Sequence, residues 1–194
     1  MLTLYFAPGS SSMATHIALR EVGVPFEARA LSFARRENRD PAYLTISPEG
    51  KVPTLLVEGR PLTEVAGTLF YLARRFPEAG LLPDGGAEAE ADAVSWMSFL
   101  AATVHPARRE GAERARAVWA IAERRLGTRA WAVGGRMSIA DIHLFRLFWR
   151  FSNSAGSATG ALPGLSAHHD RMLARPAVRD TIEAEAAIGY ELPA

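Results

Sequence analysis

The chain has 194 residues, of which 48% are hydrophobic and 22% charged, and its formal net charge is +1. This is the make-up of a soluble globular protein, one large domain or two small ones, with enough core to need no disulfide or metal staple. The near-neutral charge gives no footprint for nucleic acid or an acidic membrane surface, and the absence of cysteine excludes disulfides, thiolate metal sites and a cysteine nucleophile. No apolar run approaches the roughly 18 to 20 residues of a membrane span. The opening residues lack a basic n-region and cleavage site, so the expectation is a cytoplasmic chain.

Leu2 to Phe6 reads as a short buried strand, broken by Pro8-Gly9. Three serines follow, Ser10, Ser11 and Ser12, and then Met13, Ala14, Ile17, Ala18 and Val22 recur at helical spacing. A helix beginning at a hydroxyl cluster admits two readings. One serine can simply cap the helix. Alternatively, the unpaired N–H groups and positive partial charge of the helix start, with a hydroxyl beside them, can hold an anion such as a thiolate.

Val24-Pro25 closes that helix, and Phe26 to Leu31 reads as a second strand. Ser32 to Asp40 is polar and basic, an exposed loop. Pro41 starts a short helix through Ile46, and Ser47 to Gly50 is a turn. Thr54 to Glu58 and Arg60 to Leu62 form a hairpin. Thr63 is positioned to cap a helix carrying Val65, Leu69, Leu72 and Phe76 on one face and ending at Pro77. The order βαβαββα predicts a small mixed sheet with helices on its faces over residues 1–77.

Residues 78–87 read as a linker, and 88–194 as an all-helical domain. Its helices are predicted at Glu88 to Val104, Ala112 to Leu126, Ser138 to Phe151, Leu165 to Arg175 and Pro176 to Ala187, with a small polar loop from Asn153 to Gly164. Ser138 to Phe151 is apolar almost all round, as a central bundle helix should be. It opens with a capping box in which Asp141 stands at N3, a structural role whose loss should cost about 1 kcal/mol or more. His168-His169-Asp170 suggests a metal or triad fragment, but neighbouring helical residues diverge by about 100°, so a solvated face is expected. Tyr5 on the first strand could reach the site, but an aromatic on a buried strand is more often core.

Several blocks in this order resemble the cytosolic glutathione transferase superfamily: PGSSSMATHIALREVGVPFE, SPEGKVPTLL, LTEVAGTLFYLA, the stretch from Trp96 to His105, GGRMSIADIHLF and LPGLSAHHDRMLARPAV. Together they span essentially the whole chain, and the likeness is greatest to the bacterial beta class. The resemblance implies a thioredoxin-like α/β N-terminal domain followed by an all-α helical bundle. It also implies glutathione as cosubstrate with no tightly bound cofactor, a hydrophobic electrophilic small molecule as the second substrate, a detoxifying conjugation reaction, and a homodimer.

Carried over residue by residue, the resemblance makes Pro53 the family's cis-proline, with the Val52 backbone pairing to the cysteinyl part of glutathione. Glu64 matches the acid that binds the γ-glutamyl amine, and Val65 replaces a usual serine or glycine, leaving only its backbone for the γ-glutamyl carboxylate. Arg35 stands where the beta class has a lysine near the glycyl carboxylate, and His105 matches a histidine that reaches the site from the helical domain. The departure is at the catalytic position. The beta class usually reads P-G-A-C-S, and here Ser11 takes the cysteine's place with Ser12 after it. Serine cannot form a mixed disulfide, but it can donate a hydrogen bond to a thiolate, with help from the helix start and from His105. Met13, Phe33, Trp149 and the loop from Ser152 to Ala158 are candidates for the electrophile pocket. Two alternatives stay open: a glutathione-dependent isomerase or dehalogenase, and a binding protein without turnover.

Overall fold

A computed structural model describes residues 1–154 and 159–191. Its chain divides into two compact units, Met1–Ala79 with the chain from Pro176 on, and Gly80–Arg175.

The first unit is built on a four-stranded sheet of order β2-β1-β3-β4. Strand β1 (Leu2–Phe6) runs parallel to β2 (Phe26–Ala30) and antiparallel to β3 (Thr54–Val57), which forms a hairpin with β4 (Arg60–Thr63). Being central, β1 is buried on both faces, which is why it reads as a continuous apolar run rather than an alternating one. Helix α1 (Ser12–Val22) buries Met13, Ala14, Ile17 and Ala18, and Gly23 stops it in the left-handed conformation, before the Val24-Pro25 expected to do so. Short α2 (Pro41–Leu44) is capped by the Asp40 carboxylate, which accepts the Ala42 N–H at 2.9 Å. Helix α3 (Val65–Arg75) is tied to α1 by a buried Thr15–Thr68 hydroxyl contact of 2.7 Å.

Thr63 does not cap α3. It is the last residue of β4, and Glu64 occupies the cap position instead, at φ 65° and with no side-chain capping bond. The hairpin register pairs Thr63 with Thr54 and so keeps it in the sheet, leaving the reversal into the helix to one residue.

The second unit contains α4 (Gly86–Phe99), a π-helical stretch at Leu100–Val104, one helical turn α5 (His105–Ala107), α6 (Ala112–Leu126), α7 (Ile139–Ser152) and α8 (Pro163–Leu173). Trp96, Leu100, Val104, Val118, Trp119, Leu144 and Phe148 meet in its core. The last helix, α9 (Pro176–Ile188), belongs with the first unit and packs on α1, so the expected boundary of 88–194 gives up its final helix. Among the described residues no helix is long and apolar enough to cross a membrane.

Asp141 does more than close the capping box. Fully buried, its carboxylate accepts the Ser138 N–H at 2.8 Å, the Ser138 hydroxyl at 3.0 Å and the Ala132 N–H at 2.7 Å, and it meets His168 Nε2 at 3.0 Å. His168 is therefore core, not part of a solvated face, and His169 stacks on Phe145. The pair points inward because α8 packs on α7 with that side. Asp141→Ala removes a cap and orphans buried donors from three segments, so it should lower unfolding free energy by about 3 kcal/mol, well beyond an isolated cap. Equilibrium denaturation of the variant checks this, and a loss near 1 kcal/mol would mean that the extra bonds carry little.

Candidate active site

The serine turn sorts its three hydroxyls by environment. Ser10 and Ser12 are buried, and their Oγ atoms lie 2.6 Å apart. Ser12 Oγ also accepts the Ala7 N–H at 3.1 Å and bonds the Ala7 carbonyl at 3.3 Å, while Ser10 Oγ accepts the Ser12 N–H at 3.2 Å. These bonds hold the turn together and occupy the fully buried Ser12 hydroxyl. Ser11 differs. It is partly exposed, already has helical backbone angles (φ −56°, ψ −25°), and makes no side-chain capping bond. The first turn of α1 contains no acidic residue of its own, and the buried Glu185 carboxylate meets the Gly9 N–H just before it at 2.7 Å. Tyr5, half-buried, has its hydroxyl on the Arg29 guanidinium at 2.8 Å and its ring 5.3 Å from Tyr43.

The segment before β3 is pinned from several sides. Asn38 donates to the Gly50 carbonyl at 2.9 Å, Ser47 to the Lys51 carbonyl at 3.0 Å, and the Tyr43 hydroxyl to the same Lys51 carbonyl at 2.6 Å. The Val52–Pro53 peptide that follows is cis, as expected. Pro53 is buried and Val52 half-buried.

Glu64 is exposed and holds a positive φ, a conformation costing a non-glycine residue about 1–3 kcal/mol, and such residues concentrate at ligand-holding positions. Val65, the first residue of α3, is buried at 7% exposure. Arg35 is exposed. Its Nε donates to Glu37 at 2.9 Å, its backbone N–H donates to Ser32 Oγ at 3.0 Å, and the Glu37 carboxylate beside it raises its pKa. Met13, proposed for the electrophile pocket, has no exposed surface and is core. Phe33 and Trp149 are half-buried. Of the loop named with them, residues 155–158 lie outside the described residues.

His105 lies inside a continuous helical path that runs from Leu100 through Glu110. The π-helical turn before it offsets the α-helical register, and its N–H donates to the Leu100 carbonyl. Burial, then the charges of Arg146, Arg108, Arg109 and Arg150, push its pKa down to about 4. His143, buried one helix away with an unpartnered Nδ1, is pushed to about 3 by burial, then Arg146 and His105. Neither imidazole is cationic at neutral pH. A neutral His105 can donate or accept a hydrogen bond but supplies no positive charge.

The family models for "Glutathione S-transferase, N-terminal domain" and "Glutathione S-transferase, C-terminal domain" match residues 1–74 and 89–176. Glutathione S-transferase GST-4.5 of Xanthomonas campestris pv. campestris is 31% identical, covering 95% of this chain and 98% of its own. The chain belongs to the glutathione S-transferase family. A sphingomonad glutathione S-transferase solved in complex with glutathione is 33% identical, covers 95% of this chain and 98% of its own, and superposes with a TM-score of 0.86. The beta class enzyme of Sphingomonas chungbukensis is also 33% identical, covering 94% and 98%, with a TM-score of 0.83.

Sequence reasoning did not find Glu185, the buried acid that meets the Gly9 N–H and His16. Its signal was one acid on the apolar side of the last helix.

His105 and His143 contribute a pH dependence, alongside His169, whose pKa burial also lowers. His105 and His143 each bind a proton more readily in the unfolded chain, near pH 6.5, than in the fold, so their contribution is complete above 6.5. It is lost as pH falls from there toward about 4 for His105 and about 3 for His143. Denaturation midpoints should therefore fall between pH 7 and 5, and fall less steeply in His143→Asn. Equal slopes for the two proteins would contradict the assignment.

Proposed function

We propose that this transferase binds glutathione on its first unit, stabilises the thiolate with the Ser11 hydroxyl, and adds it to a hydrophobic electrophile. The observation that carries the proposal is the division of labour in the serine turn: two hydroxyls knit the turn, and the third sits partly exposed at the positive end of α1. An oxygen donor and a helix terminus both favour the anionic thiol, whose reference pKa is about 8.5.

The remaining contacts follow the tripeptide. The Val52 main chain, held by the pinned 47–51 turn, pairs with the cysteinyl peptide. The Glu64 carboxylate takes the γ-glutamyl amine, and the first N–H groups of α3, Val65 included, take its carboxylate. Arg35, aligned by Glu37, takes the glycyl carboxylate. His105, neutral, hydrogen-bonds in the reaction without supplying charge. Glutathione acts as a diffusible cosubstrate, and a homodimer in the cytoplasm is part of the same reading.

Ser11→Ala should raise the pKa of bound glutathione's thiol by about one unit and lower kcat/KM at neutral pH about tenfold toward a generic aryl halide, with glutathione affinity little changed. Difference-absorbance titration reads the first, and an unmoved thiol pKa and rate would remove the proposal. Glu64→Gly separates function from strain. It relieves the positive φ, so thermal stability should hold or rise slightly, while retention on immobilised glutathione is lost. Retention at the wild-type level would free Glu64 from its assigned role.

A further inference from the structure

One carboxylate grips the chain on both sides of Ser11. Glu185, on α9, has no exposed surface. Its Oε2 accepts the Gly9 N–H at 2.7 Å, and its Oε1 meets His16 Nδ1 at 2.9 Å. Gly9 lies in the turn before Ser11 and His16 on the helix after it, so the acid ties the turn to the helix it feeds. Tyr190 closes the arrangement from outside: a Cβ built on Gly9, whose φ is +71°, would sit 2.9 Å from its ring.

The same segment reaches the other end of the proposed glutathione site. Glu191 accepts the Ser32 hydroxyl at 2.6 Å and the Ala34 N–H at 3.0 Å, and Ser32 Oγ in turn accepts the Arg35 N–H. These bonds hold the Glu191 carboxyl below the usual range.

An apolar side chain could fill the space of Glu185 at less desolvation cost. What a carboxylate adds is direction. It fixes the plane of the peptide ending at Gly9 and the rotation of α1 about its axis at His16 together, and those two settings determine where the Ser11 hydroxyl points. We propose that Glu185 is a positioning residue for the thiolate-binding serine, and that Glu191 positions the Arg35 loop from the same segment. The C-terminal residues thus complete both ends of the glutathione site without touching glutathione. This rests on the reading of Ser11 as the thiolate donor.

The two carboxylates should fail differently. Glu185→Ala should raise the bound thiol pKa by about one unit and cut kcat/KM at pH 6.5 about tenfold, with glutathione Kd moved less than about threefold. Glu185→Gln, which keeps an oxygen for the Gly9 N–H, should recover most of that rate. Glu191→Ala should weaken glutathione binding about tenfold by calorimetry and leave the thiol pKa in place. If Glu185→Ala lowers the melting temperature with an unmoved thiol pKa and rate, Glu185 is a structural brace only and the proposal falls. Should that variant fail to fold, amide hydrogen exchange of the wild-type chain decides: Gly9 must exchange with the same opening free energy as the α9 amides. Independent exchange of Gly9 overturns the proposal. The parent reading fails separately: an unchanged thiol pKa in Ser11→Ala with a shifted one in Glu185→Ala would mean that the turn is positioned for a different donor.

Discussion

The first unit is organised by a carboxylate that water never reaches. Glu185 has to be matched by donors because an unpaired buried acid is too costly to keep. The donors it finds are a main-chain N–H in a left-handed glycine and an imidazole on α1. From that follow the need for glycine at position 9, the close seat of Tyr190, and the membership of α9 in the first unit although more than a hundred residues separate it from α1. Helix burial alone would leave α9 able to slide or rotate by a turn; a directed pair of bonds to one acid does not.

The second unit repeats the device with other parts. Asp141 is equally buried and also joins backbone N–H groups to a histidine, here from the segment at Ala132, the cap at Ser138 and His168 on α8. In both units a helical acid converts non-directional apolar packing into a single register. In the first unit the result lies beside the serine turn; in the second it sets the central helix that carries His143, Arg146 and Arg150.

The fold was legible because its signals are local. Period-2 and period-3.6 patterns, the Pro8-Gly9 break and the Ser138–Asp141 box each depend on residues close in sequence, and the βαβαββα order follows from them. The candidate site was legible where a motif fixes the backbone, as at Val52–Pro53, which is cis. What was not legible is which hydroxyl faces where. Ser10, Ser11 and Ser12 are chemically identical, and only the closure of Ser12 onto Ala7 and Ser10 separates them. The role of His168 was missed because a pair of adjacent histidines gives no hint that an acid 27 residues earlier waits in the core. Thr63 was misread because capping propensity is a local preference, and pairing with Thr54 outweighs it.

The electrostatics of the site then follow a consistent logic. In the first unit the α1 terminus has no acid in its own first turn, the serine carries no charge, and the buried Glu185 carboxylate is taken up by the Gly9 N–H and His16. On the proposed reading, stabilisation of a thiolate on the first unit relies on oriented dipoles, a hydroxyl and a helix end, rather than on an ion pair. A dipole's effect falls off faster with distance and angle than a charge's, so such a site tolerates little misplacement. A cysteine at position 11 could react through a flexible sulfur over a range of geometries. A serine that must aim a single O–H at a sulfur cannot, which explains why a turn built on three serines is tied down by its own hydroxyls within and by a buried carboxylate from the far end of the chain.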